Sequence, residues 1–232
     1  MANIDIGKIT SGLVPDTIAL KTINFVYAQL PAWRDDSSRP DEETEKELNL
    51  QLCKFLDSHA RNDFPMVQFV HEEYQSNRRS PDISASPVAQ MTIGVKLYTI
   101  YDPITVFECK RLPTPSRGRE KEYVTGGTED KSGGIQRFKL GLHGVDQNIA
   151  AMIGYLQKCS APHWHNEINK WITELCSGII TDTCNWNLNE TLEPLEEDTS
   201  NGIAKCRSVH SRTGSNRSDT IVLHHLWVTM YK

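Results

Sequence analysis

Two carboxylates and a lysine stand out for the chemistry their spacing allows. Asp82 follows Pro81, and Glu108 and Lys110 lie inside the run Val106-Phe107-Glu108-Cys109-Lys110-Arg111-Leu112. Read as a strand, that run alternates faces with a period of two, so Val106, Glu108 and Lys110 share one face and Phe107 and Cys109 the other. An acid and an ammonium on an otherwise apolar strand are costly unless paired or bound to a metal. Hard divalent ions such as Mg²⁺ take carboxylate oxygens, carbonyls and water. Such an ion lowers the pKa of its water and stabilises charge on phosphoryl oxygens, and a lysine beside it can orient or deprotonate that water. Asp102 competes with Asp82 as the second carboxylate. It sits in the Asp102-Pro103 turn that enters the Glu108 strand, from which its side chain would have to reach along about 20 Å of strand, so Asp82 is preferred.

Pro81-Asp82 followed by Glu108-Cys109-Lys110 resembles the signature of the PD-(D/E)XK nuclease superfamily. The resemblance covers about half the chain, from Glu42 to Leu156. It implies an α/β fold with a restriction-endonuclease-like core, a central mixed β-sheet flanked by helices in the order αβββαβ. It also implies a metal-dependent phosphodiesterase, most simply a DNA endonuclease of restriction or anti-phage defence. Asp82, Glu108 and the Cys109 carbonyl would hold Mg²⁺ or Mn²⁺, and Lys110 would position or activate water. Glu45, from the helix before the sheet, would face the same site. Gln136 matches the glutamine that several branches carry on the helix after the Glu-x-Lys strand, and Arg137 beside it, with Arg79 and Arg111, would contact the phosphate backbone. The alternative is a catalytically silent subunit of the same fold that binds nucleic acid or a protein partner. A third reading is an unrelated α/β protein in which Glu108 and Lys110 are a salt-bridged strand end. A homodimer, or a partner subunit of a defence system, fits an enzyme that cuts two strands.

The elements that must position these residues are partly legible. Thr44, Glu45 and Glu47 open a helical pattern, acids being favoured near a helix N-terminus. Leu48, Leu52, Phe55 and Leu56 carry it to about Asp57. Glu45 falls on the face of these leucines and Glu47 off it, so two readings of Glu45 stand open: aimed at the site, or solvated at a frayed helix start. Residues 1–33 fit a helix or a strand equally, and Pro31 to Pro40 reads as a loop. Val67, Phe69 and Val70 suggest a strand closed by Glu72 and Glu73, which are reserve candidates for the metal site. A second strand begins at Asp82, and Met91 to Tyr101 is rich in β-formers. A basic segment with Arg111, Arg117, Arg119 and Lys121 follows Lys110. Residues 135–142 read as a helix, 150–156 as a buried strand, 162–176 as an amphipathic helix, 185–202 as a polar acidic loop and 221–230 as a closing strand. No repeat or linker divides the chain, which is expected to be an N-terminal extension over 1–40 packed on a domain over 41–232.

The 232 residues suffice for a sizeable core. Mean hydropathy of −0.48, together with the lack of an apolar run near bilayer length and of a signal-peptide pattern, predicts a cytoplasmic protein that does not meet a membrane. Cys53, Cys109, Cys159, Cys176, Cys184 and Cys206 form no Cys-x-x-Cys pair and are expected as buried free thiols. Net charge of −5 argues against a protein that coats nucleic acid. Twelve of the 30 acids, however, fall within 35–47 and 190–198, which leaves room for a locally basic cleft elsewhere. His163 and His165 lack a third metal ligand, and His224 and His225 read as structural.

Overall fold

The computed structural model describes residues 15–72, 80–116, 119, 121–212 and 219–231. Two helices, α1 (Pro15–Arg34) and α2 (Glu45–Asp63), precede strands β1 (Val67–His71) and β2 (Ile83–Pro87). After the small hairpin β3 (Met91–Ile93) and β4 (Lys96–Tyr98) come β5 (Thr105–Leu112), α3 (Gly134–Lys139), β6 (Ile149–Leu156) and α4 (Ala161–Cys176). The chain closes with a 3₁₀ turn (Leu188–Glu190) and strands β7 (Glu196–Asp198), β8 (Ile203–Ser211) and β9 (Thr220–Thr229). Among the described residues seven strands form one mixed sheet in the order β1-β2-β5-β6-β9-β8-β7. Only β5–β6 and β6–β9 pair parallel. The protein is thus α/β, and no described helix is long and apolar enough to cross a membrane.

The sheet carries a core on each face. On one, Val26, Leu30 and Trp33 of α1 and Leu48, Leu52 and Leu56 of α2 pack with Phe69, Phe107, Cys109 and Tyr155. On the other, α3 and the Trp164, Ile168, Trp171 and Ile172 stripe of α4 pack with Val106, Leu112, Met152 and Trp227. The split of β5 between these cores is the period-two alternation its sequence predicts. β6, covered on both faces and parallel to both neighbours, is buried throughout, which accounts for its unbroken apolar sequence.

Several boundaries differ from expectation. Residues 15–34 are a single helix that continues through Pro31. The proline forfeits one backbone bond, but burial of Leu30 and Trp33 on either side of it holds the turn together. α2 runs to Asp63, six residues past the expected end, with Ala60 buried on its last turn. The β-rich stretch after Met91 forms the β3–β4 hairpin outside the main sheet. The expected loop over 185–202 contains the 3₁₀ turn and β7. Its Glu190 is buried against Lys139 at 2.5 Å and accepts the Ser211 N–H at 2.9 Å. β8 has no hydrophobic alternation because its buried face is Ala204, Cys206, Ser208 and His210, all small or polar. All six cysteines are unpaired, but Cys159 is exposed and Cys176 and Cys184 are half-buried, against the expected burial.

A polar chain crosses the core between β8 and β9. Trp227 Nε1 donates to Tyr123 Oη at 2.9 Å, which frees the phenol proton for His225 Nδ1 at 2.8 Å. His225 Nε2 and His210 Nε2 then share Ser208 Oγ at 2.8 and 2.7 Å. With Nδ1 accepting, His225 is neutral, and burial holds its pKa well below the ordinary 6.5; burial also lowers that of His210. The unfolded chain therefore takes up protons near pH 6.5 that the folded one refuses. These histidines contribute stability that is full above that pH and falls as pH drops below it. Nitrogen-15 NMR should find the His225 ring neutral at pH 5.5; a ring titrating near 6.5 would show that it is solvated.

Candidate functional site

The β2–β5 ladder ends at the pair Ile83–Phe107. Past it, two β5 amides turned toward β2 are met by side chains. Asp82 Oδ2 accepts the Cys109 N–H at 2.7 Å, and Glu45 Oε2 accepts the Arg111 N–H at 3.1 Å. Asp82 stands one step beyond the last ladder pair, opposite Glu108, and directly opposed residues of an antiparallel pair share a face. Glu45 arrives on the first turn of α2, whose N-cap Thr44 accepts the Glu47 N–H.

Lys110 ties these acids together. Its buried Nζ lies 3.0 Å from Glu45 Oε1 and 3.2 Å from Glu108 Oε1. Glu108 is wholly buried and is further held by Arg137, whose Nη1 lies 2.5 Å from Oε1. His143 Nδ1 stands 2.8 Å from Oε2, off the line of a hydrogen bond. Burial alone would raise the Glu108 carboxyl, but Lys110, His143 and Arg137 outweigh it and hold the pKa well below the carboxylate range. Burial likewise disfavours the Lys110 ammonium, and Glu108, Asp82 and Glu45 overcome it and raise its pKa. Lys110 is thus a fixed cation, suited to orienting water and not to removing its proton. Asp82 behaves oppositely: burial and then the Glu108 charge push it up to about 8.

Two permanent cations, Lys110 and Arg137, face three acids, Glu45, Asp82 and Glu108, and a proton on Asp82 relieves the imbalance. A bound cation would offset the same single negative charge. Among the described residues no group of three or more His, Cys, Asp and Glu side chains could hold a metal ion. Asp82 and Glu108 are two carboxylates, and with a backbone carbonyl they match the few protein ligands of an ion that keeps several waters.

The structure therefore brings Asp82, Glu108, Cys109, Lys110, Glu45 and Arg137 to one place. The Cys109 thiol points into the opposite core. Arg111 lies beside Glu45 through its backbone, while its guanidinium donates to Gln157 Oε1. Gln136 is buried: its Oε1 accepts the Gly126 and Gly133 N–H groups at 3.0 and 3.3 Å, and its Nε2 donates to Gly127 O at 2.9 Å. Those bonds shape the loop ahead of α3 instead of presenting the amide to a ligand. Asp102 serves its turn by accepting from Thr99. Arg79 and the reserve candidate Glu73 lie outside the described residues. His143 was not singled out from sequence; it lies in a Gly-Leu-His-Gly turn where no spacing rule points to it.

No protein-family model, curated protein or solved structure matches the chain.

Removing Lys110 leaves buried acids without their counterion, so Lys110→Ala should lower stability by about 3 kcal/mol or more in urea unfolding; a loss under about 1 kcal/mol would mean the amine is solvated. Gln136→Ala, which orphans buried backbone groups, should cost about 2 kcal/mol, and an unchanged midpoint would show that the loop does not need the amide.

Proposed function

We propose that this chain is a metal-dependent nuclease that hydrolyses phosphodiester bonds, with DNA as the first substrate to test. The carrying observation is the convergence of Asp82, Glu108, Lys110 and Glu45 where β2 leaves β5. The order α2, β1, β2, β5, α3, β6 around that point supports a restriction-endonuclease-like core, as the resemblance to the PD-(D/E)XK superfamily implies. Asp82, Glu108 and the Cys109 carbonyl are the residues that would hold Mg²⁺ or Mn²⁺. When bound, the ion supplies stabilisation of charge on the phosphoryl oxygens and a more acidic water.

The side chains of this chain do the rest. Lys110, kept cationic by three acids, orients a water or donates to a phosphoryl oxygen. Glu45 fixes the Lys110 amine and the β5 edge. Arg137, and Arg111 once it leaves Gln157, offer guanidinium groups to the phosphate backbone, contacts that position a nucleic acid without reading its sequence. A second copy of the chain, needed to cut both strands at one place, and a role in restriction or anti-phage defence belong to the same reading.

One observation favours the rival, a silent subunit of this fold: both Glu108 oxygens already have nitrogen neighbours. Supercoiled plasmid separates the two. The parent should nick or linearise it with Mg²⁺ and leave it intact in EDTA. Asp82→Asn keeps an acceptor for the Cys109 N–H but loses the charge, so it should stay folded while cleaving at least about a hundredfold more slowly. Intact plasmid with the parent, or parental rates from Asp82→Asn, would overturn the nuclease reading.

A further inference from the structure

Glu108 is the acid most enclosed by nitrogen. Oε1 carries Arg137 at 2.5 Å and Lys110 at 3.2 Å, and Oε2 faces His143 at 2.8 Å. Oε2 accepts no hydrogen bond but has His143 packed against it, and a divalent cation on this carboxylate would be repelled by the positive charge already there. Withdrawal of a cationic neighbour would lift that repulsion, and the three neighbours differ in whether they can withdraw. The Lys110 side chain is 5% exposed and the His143 side chain 1%, whereas that of Arg137 is 25% exposed. Lys110 is also held by Glu45, and His143 packs edge-on against Phe138. Besides its bond to Glu108, the Arg137 guanidinium donates from Nε to the Lys131 carbonyl over a long 3.4 Å, at the surface. Its backbone is fixed on α3 by the Arg137 N–H bond to Gly133 O at 2.9 Å, so the swing belongs to the side chain alone.

We propose that Arg137 is a gate on the Glu108 carboxylate, opened by the phosphate of the substrate. With no phosphate present, its guanidinium neutralises Glu108 and blocks the cation. A phosphodiester at the mouth of the site offers the same planar fork a second anionic partner of matching geometry, and Arg137 turns to it and frees Glu108. Cation and phosphate then bind with positive coupling, and by linkage each tightens the other by the same factor. The proposal rests on the nuclease reading and assigns regulation to its site: the metal is loaded where substrate is present and is weakly held elsewhere.

The test is calorimetric titration of Mg²⁺ into the parent, Arg137→Ala and Arg137→Gln, each alone and with saturating thymidine 3′,5′-bisphosphate. That ligand carries phosphates but no internucleotide bond to cut. Circular dichroism checks folding, and Arg137→Gln, closer in size to arginine, serves if the alanine variant is unstable. The parent should bind Mg²⁺ weakly alone and at least about tenfold more tightly with the bisphosphate. The variants should bind Mg²⁺ about tenfold more tightly than the parent without the bisphosphate, and gain less than about twofold from it. Equal or weaker Mg²⁺ affinity in the variants, or the same gain from the bisphosphate in all three, overturns the gate and leaves the nuclease reading standing. No Mg²⁺ binding by any of the three under either condition overturns both.

Discussion

The site depends on a strand that stops short. Once β2 parts from β5 after Ile83 and Phe107, the β5 edge presents amides that no ladder pair on that side meets, and an unmet buried N–H is costly. Asp82 and Glu45 answer one amide each. Bringing two acids to that edge, next to the Glu108 that β5 itself contributes, creates a concentration of negative charge that only buried cations can tolerate. Lys110 and Arg137 follow from that constraint. The local backbone gap and the charge cluster are therefore one feature seen at two levels.

The electrostatics also divide the labour. Glu108 is held ionised and Lys110 protonated, each by the other and by its neighbours. Asp82 is the member left with a proton to exchange near neutral pH, because burial and the Glu108 charge both act against its ionised form. Groups whose environments push their pKa values apart are a frequent mark of chemistry, although buried ion-pair networks produce the same pattern. A second such network, in which Lys139, Glu190, Ser211 and His210 take part, joins α3 to β8.

The parts legible in the sequence were those where one physical signal dominates. β5 declared itself through Phe107 and Cys109 alternating with Val106 and the charged pair, and α4 through tryptophans and isoleucines at helical spacing. Glu45 could be placed on the buried face of α2 by its angle to Leu48 and Leu52, but its bond to the Arg111 amide depends on where β2 ends. β8 was hidden because Ser208 and His210 are polar residues made acceptable inside by the bonds that Ser208 Oγ shares with His210 and His225. α1 was ambiguous because burial against β6 and β9, which lie far along the chain, carries it through Pro31. Arg137 was placed near the site on a resemblance, yet its clasp on Glu108 is a tertiary fact, as is the approach of His143.

Diffraction from crystals soaked with Mn²⁺ and thymidine 3′,5′-bisphosphate, with data collected at the manganese edge, would decide whether Asp82 and Glu108 share a cation. An anomalous peak should stand about 2.1 Å from oxygens of both Asp82 and Glu108, with Arg137 turned away from the carboxylate. No peak at that position, or Asp82 and Glu108 carboxylates aimed at opposite sides of the sheet, would contradict a shared cation.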